Sequence, residues 1–266
     1  LKIDASIVND IAGDWDEFHG KAKINLVVCG SINRLMGEIF EDREAPLYGR
    51  NTASFTIEPF RVSVLKEIMA FHHPSYKPDD LLALWSFTGG VARHVALLMD
   101  DKAYTAKKMV ESMIRLGSTF LDEGKTLLVE EFGKEYGNYF TILSSIASGK
   151  TTRSEIEQAI GGSAGGYLTK LEDAYALIVK RQPLFEKSAN KNCIYKLNDN
   201  FLTFWFRFVY KHNYLVELKM FDELRELILR DYSVFSGLML EGYFKARFAD
   251  ERRYTRMGAW WDRKGE

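Results

Sequence analysis

Ser31 follows the apolar run Lys23-Ile24-Asn25-Leu26-Val27-Val28-Cys29-Gly30, and Arg50 closes the tight turn Pro46-Leu47-Tyr48-Gly49-Arg50. A hydroxyl at a strand tip can orient an attacking water. A guanidinium displayed nearby can stabilise the charge that phosphoryl transfer spreads over the equatorial oxygens. The loop that would cradle the β- and γ-phosphates is missing: nowhere in the 266 residues is there a GxxxxGK[ST]. These residues therefore read as part of a larger nucleotide-handling machine.

A second group of residues suits anionic polymers. Lys170, Lys180, Arg181, Lys187 and Lys191 fall on a helix–ribbon module and could neutralise DNA phosphates. Glu172 and Asp173 on the same helix oppose that, since phosphates repel them, and few groups there would read base edges. Protein contact is the competing use of the module. Histidines 19, 72, 73, 94 and 212 show no metal-ligand spacing. No nucleophile–base pair suggests covalent catalysis.

Composition narrows the class. Hydrophobic residues make up 46% and charged residues 27% of the chain, as in ordinary soluble domains. The formal net charge of −1 excludes a global pull toward nucleic acid or an anionic membrane, though not local patches. Cys29 and Cys193 sit in apolar strand-like runs and read as buried free thiols of a reducing cytoplasm. No apolar run has transmembrane length and no signal pattern opens the chain, so a cytoplasmic protein with no membrane partner is expected. Both ends read as cuts. Length suggests about two domains.

The elements that would position these residues follow from periodicity. Ile7, Ile11, Trp15 and Phe18 predict a helix over 5–19, broken at Gly20-Lys21. Residues 23–29 read as a continuous buried strand of a parallel sheet, Ser31 as the start of a helix, and 52–57 as a short strand. From 61 to 132 the pattern is helical, with Asp79 an N-cap candidate and a break at Gly89-Gly90. A second unit begins near Glu135, and Tyr139 to Ala147 reads as its first, apolar helix. Thr152-Arg153-Ser154-Glu155 is a capping box, Gly161-Gly162 ends that helix and Ser163 caps the next. Strands at 177–180 and 193–197 follow, with a polar turn between them. Three helices and a two-stranded ribbon make the winged-helix pattern. Phe201 to Tyr210 predicts an aromatic core. Helices then run through Leu215–Leu229 and Val234–Phe248, and a strand over Tyr254–Trp261.

In order along the chain, Val-Val-Cys-Gly-Ser, Pro-Leu-Tyr-Gly-Arg, Ile-Glu-Pro-Phe and Gly89-Gly90-Val91-Ala92-Arg93 resemble the archaeal-type P-loop ATPases, a branch near the AAA+ and STAND NTPases. Tyr195-Lys196-Leu197-Asn198-Asp199-Asn200-Phe201 resembles that family's segment after the wing. Gly258-Ala259-Trp260-Trp261 resembles the entry to its PD-(D/E)XK nuclease-like domain. The resemblance implies an α/β plus mainly helical architecture. Residues 1–60 would be the end of a parallel-sheet P-loop ATPase core, 61–132 a helical lid, 133–200 a winged helix, and 201–266 linker helices with the start of the nuclease-like domain. The phosphate loop and the Walker B acids would lie before Leu1.

The same resemblance implies roles. Ser31 matches sensor 1, although a serine there also caps the following helix. Arg50 matches an arginine finger, acting in a homo-oligomer or after closure, and a surface arginine pairing with Glu41, Asp42 or Glu44 is the alternative. Arg93 matches a sensor 2 arginine, with Ala92 where many members carry proline. Glu241 matches the first acid of a nuclease-like Mg²⁺ site. The intact protein would bind ATP and Mg²⁺, couple hydrolysis to the winged helix, and contact DNA or another protein. A non-catalytic DNA- or protein-binding regulator is the alternative.

Overall fold

The computed structural model describes residues 5–30, 33–132, 136–184, 193–252 and 254–261. The chain divides into two units, Leu1–Ile57 and Glu58–Glu266. In the first, α1 (Ala5–Phe18) and α2 (Asn33–Phe40) are the regular elements. Trp15 on α1 is half-buried and Ala12 is buried, while Leu47 is buried in the turn before Arg50.

The two strands expected in this unit are corrected. Residues 23–30 and 52–57 are irregular, and their apolar side chains face outward: Val27 is 84% exposed and Ile57 89%. An extended backbone needs partners for its N–H and C=O groups. No described residues supply them, so among the described residues there is no parallel sheet. Cys29 is exposed and Cys193 half-buried, so the thiols are free but not buried as expected.

The second unit is mostly helical. α3 (Val62–His72), α4 (Pro78–Thr88), α5 (Ala92–Asp100), α6 (Ala106–Met113) and α7 (Thr119–Phe132) fill the stretch read as helical. Pro78 presets the first helical φ, so α4 starts two residues earlier than an Asp79 cap would allow. Asp80 then accepts from the Lys77 amide at 2.8 Å, and the Asp79 carboxylate accepts from the Tyr232 hydroxyl at 3.0 Å. Gly89 ends α4 in the left-handed region at φ 59°.

Next come α8 (Tyr136–Ala147), α9 (Arg153–Ile160) and α10 (Gly165–Thr169), which runs into a π-helical turn at Lys170–Ala174. The Thr152 capping box forms as read: the Thr152 Oγ1 accepts from the Glu155 amide, and the Glu155 carboxylate accepts from the Thr152 amide. Ser163 does not cap α10, because Ala164 occupies the residue before it. β1 (Ile178–Arg181) and β2 (Ile194–Leu197) pair antiparallel, with Ile178 opposite Leu197 and Arg181 opposite Ile194. Tyr195 donates its amide to the Thr151 carbonyl at 2.8 Å and so ties β2 to the start of α9.

Asp199 caps α11 (Asn200–Phe204) by accepting from the Leu202 amide at 2.8 Å. Removal from water pushes its carboxyl above the usual carboxylate range. α11 continues as a π-helical turn, Trp205–Tyr210, before α12 (Asn213–Glu217) and α13 (Phe221–Glu251). The segment read as a helix over 234–248 is part of this one 31-residue helix, roughly 46 Å long at the α-helical rise. Leu224, Ile228 and Phe235 form its buried stripe against α4 and α6. The expected aromatic core is present: Phe204 lies 5.1 Å from Phe87 and 5.5 Å from Phe208, ring centre to ring centre, and Phe208 lies 5.4 Å from Phe235. Residues 254–261 are not a strand. A bond of 2.9 Å from the Leu184 amide to the Ala259 carbonyl holds that segment beside the end of the ribbon.

Candidate functional site

Arg93 stands in the first turn of α5, immediately after the Gly89-Gly90 turn. Its side chain is 60% exposed and donates to Glu123 Oε1 of α7 at 2.9 Å. His94, its neighbour, is almost fully buried. The His94 ring lies 4.2 Å from that of Phe201, with Nε2 3.1 Å from the same Glu123 oxygen. Burial raises the Glu123 carboxyl, but His94 and Arg93 outweigh it and leave the pKa below its ordinary value. Arg93 and Glu123 also face a cavity of about 530 Å³, with Ser118, Thr119, Asp122 and Lys219 among its walls. An exposed guanidinium at the mouth of a cavity of mixed polar and apolar lining can meet an anion after exchanging its bond to Glu123. The sequence reading missed His94 and Glu123, because 29 residues separate them and nothing local marks the pair.

Arg50 lies in the other unit and is engaged. Its Nε and Nη2 donate to the two oxygens of Asp16 at 2.8 and 2.7 Å, a bidentate pair. The Arg50 bond holds the Asp16 carboxyl below its usual range. The partner is Asp16 of α1, not Glu41, Asp42 or Glu44. Ser31 lies outside the described residues.

Glu241, on α13, is the hub of an ion-pair cluster that joins the long helix to the ribbon. Lys196 of β2 donates to one of its oxygens at 3.0 Å; Arg181 of β1, at 3.5 Å, and Lys245 of α13 donate to the other. Burial pushes the Glu241 carboxyl up, but Lys245 and Lys196 overcome it and hold the pKa at about 2. Three cations would repel a divalent metal. Among the described residues no three His, Cys, Asp or Glu side chains group to hold one. Mg²⁺ therefore does not fit Glu241 in this arrangement.

The hub predicts a pH dependence. The folded pKa is depressed, so the stabilisation is complete above the unfolded value near 4.5 and disappears as pH falls toward 2. Because the carboxylate is about one-third exposed, solvent screening reduces the full linkage value to about 1–2 kcal/mol. Urea unfolding of wild type and Glu241→Gln is expected to show that gap at pH 7 and its closure between about pH 5 and pH 2. A gap that stays constant across this range contradicts the assignment.

Of the basic residues read as DNA contacts, Lys170 lies in the π-helical turn, and Lys180 and Arg181 lie in β1. Lys187 and Lys191 fall outside the described residues. Glu172 accepts from the Lys180 amide at 3.2 Å. Among the described residues, no helix is long and apolar enough to cross a membrane.

No family model matches the chain. Over 257 residues it is 28% identical to an uncharacterized protein of Methanocaldococcus jannaschii, a match that covers 92% of this chain and 55% of that protein. The chain thus spans about half the length of this archaeal relative. Among solved structures it is similar to a Walker-type ATPase of Pyrococcus abyssi, at a TM-score of 0.51 and 18% identity, covering 78% of this chain and 59% of that one. The fold is Walker-ATPase-like. At this identity the likeness is one of fold alone; among the described residues that fold is mostly helical, with one two-stranded antiparallel sheet.

Proposed function

We propose that these residues are the lid and winged-helix portion of an archaeal-type P-loop ATPase. In this reading the helices over 61–132 form the lid, residues 133–200 the winged helix, and 201–266 linker helices and the entry to a nuclease-like domain. The observation that carries the reading is the fold likeness to a Walker-type ATPase, combined with an arginine at the first turn of α5 facing a cavity that is also lined by Ser118, Thr119 and Lys219. The exposed apolar stretches 24–28 and 55–57 support it further, because they suit completion of a sheet by additional strands.

ATP with Mg²⁺ would supply the transferable phosphoryl group. This chain's contribution would be Arg93, Ser31 and Arg50. Arg93 would exchange Glu123 for a phosphate oxygen and so couple lid position to nucleotide state. Arg50 would leave Asp16 to act as a finger, in cis or from a second copy. The β- and γ-phosphate cradle would come from outside these residues. Contact with DNA through Lys170, Lys180, Arg181, Lys187 and Lys191 is part of the same proposal. The regulator reading is favoured by one feature: Arg181 is already paired with Glu241.

The test compares two preparations. A pure sample of residues 1–266 is expected to show no steady-state ATP hydrolysis. A longer protein that carries these residues together with a phosphate loop is expected to hydrolyse ATP with Mg²⁺. Hydrolysis by the short chain, or none by the long one, contradicts the proposal.

A further inference from the structure

At the end of the ribbon, lined by none of the residues assigned to the triphosphate, lies a cavity of about 410 Å³. Arg181 and Gln182 form one wall, Lys245 of α13 another, and Arg256 with Trp261 a third. Among the described residues that line it, none is a carboxylate. Arg181 and Lys245 are only about one-third and one-quarter exposed, and Lys196 stands next to them on the far side of Glu241. Four cations thus stand around one place: Arg181, Lys196 and Lys245 share Glu241 as their anion, and Arg256 lines the cavity beside them. Half-buried like charges are costly when one counter-ion serves several of them. A second anion in the cavity would offset that cost. A phosphate fits the donors: two guanidinium forks and an ammonium supply charge-assisted bonds in several directions.

We infer that this cavity is a phosphate-binding site, and that Glu241 is its built-in competitor. With no ligand, Glu241 holds Arg181, Lys196 and Lys245 together. A phosphate takes Arg181 and Lys245 from one side and Arg256 from the other, and the bonds to Glu241 lengthen. Arg256 is pre-positioned, because its Nη2 already donates to the Leu184 carbonyl at 2.9 Å. Gly258 lets the segment approach: an added Cβ there would lie 2.6 Å from Leu184 Cδ1. The inference does not depend on the ATPase reading. It shares Arg181 with the DNA-contact reading, and a small inorganic probe separates the two.

The experiment is calorimetric titration of residues 1–266 with inorganic pyrophosphate at low salt, then with a short single-stranded oligonucleotide. Glu241→Gln is expected to tighten pyrophosphate binding by about three- to tenfold, because the competitor loses its charge. Arg256→Gln is expected to weaken it by about tenfold, the scale of one charge-assisted bond. Arg256 lies on an exposed segment, so that variant keeps the test open if Glu241→Gln unfolds. Binding of pyrophosphate with these responses assigns a free anion. Binding of the oligonucleotide alone, with the same two responses, assigns a phosphodiester. No binding of either probe, or binding that Arg256→Gln leaves unchanged, overturns the inference.

Discussion

Gly90→Ala is expected to cost about 3–5 kcal/mol of stability, read as a shift in the urea midpoint. Two effects add. Gly90 has φ 85°, a region that side chains avoid, and a Cβ there would lie 2.3 Å from the Phe60 carbonyl oxygen. That oxygen cannot move aside cheaply, because the Phe60 amide already donates to the Gly90 carbonyl at 2.7 Å. The two backbones cross at this point and join the entry of α3 to the turn before α5. Gly89 is the control. Its φ of 59° is also left-handed, but its Cβ would meet nothing closer than Asn200 at 3.4 Å, so Gly89→Ala is expected to cost only about 1 kcal/mol. Equal costs for the two variants would show that backbone approach at Gly90 is not what fixes the turn.

Phe204→Ala is expected to cost about 3–5 kcal/mol, the scale of deleting a fully buried ring. Phe204 has no exposed surface and stands between Phe87, Phe208 and Phe235. Its loss would open a cavity where α4, α11 and α13 meet, and the neighbouring rings are too constrained by one another to fill it. Phe71, 83% exposed on α3, is the matched control, and Phe71→Ala is expected to change stability by no more than about 0.5 kcal/mol. Denaturant unfolding of both variants decides it. A small loss for Phe204→Ala would mean that the aromatic cluster repacks.

Where local signals agreed with tertiary need, the sequence was legible. The Thr152 capping box, the glycine stops at 89 and 161 and the pairing of the ribbon all depend on residues close in the chain. The run from Phe201 to Phe208 revealed a core because nothing else buries so many rings. The strand expected over 23–29 failed for a definite reason. Its composition suits a buried strand, but a strand exists only with a neighbour, and the described residues provide none. Position alone was a poor guide to the site. Arg50 was found, but Asp16 was not, because a bidentate partner 34 residues away leaves no local trace. Glu241 was noticed as a carboxylate, and its three cations changed its meaning from metal ligand to ion-pair hub. Ordinary helical spacing concealed the length of α13, since its second half exposes apolar residues such as Leu238 and Phe244.

The central claim is that Arg93 serves a nucleotide bound to a longer protein. The most direct measurement is the steady-state kcat for ATP of that longer protein, with Arg93 intact and as Arg93→Ala, alongside urea unfolding of both. An exposed pair to Glu123 contributes about 0–1 kcal/mol to stability, so folding should barely change. A lost phosphate contact in the transition state should lower kcat by about a hundredfold or more. A kcat within about twofold of wild type, in a variant that folds normally, would contradict the account and leave Arg93 as a surface ion pair.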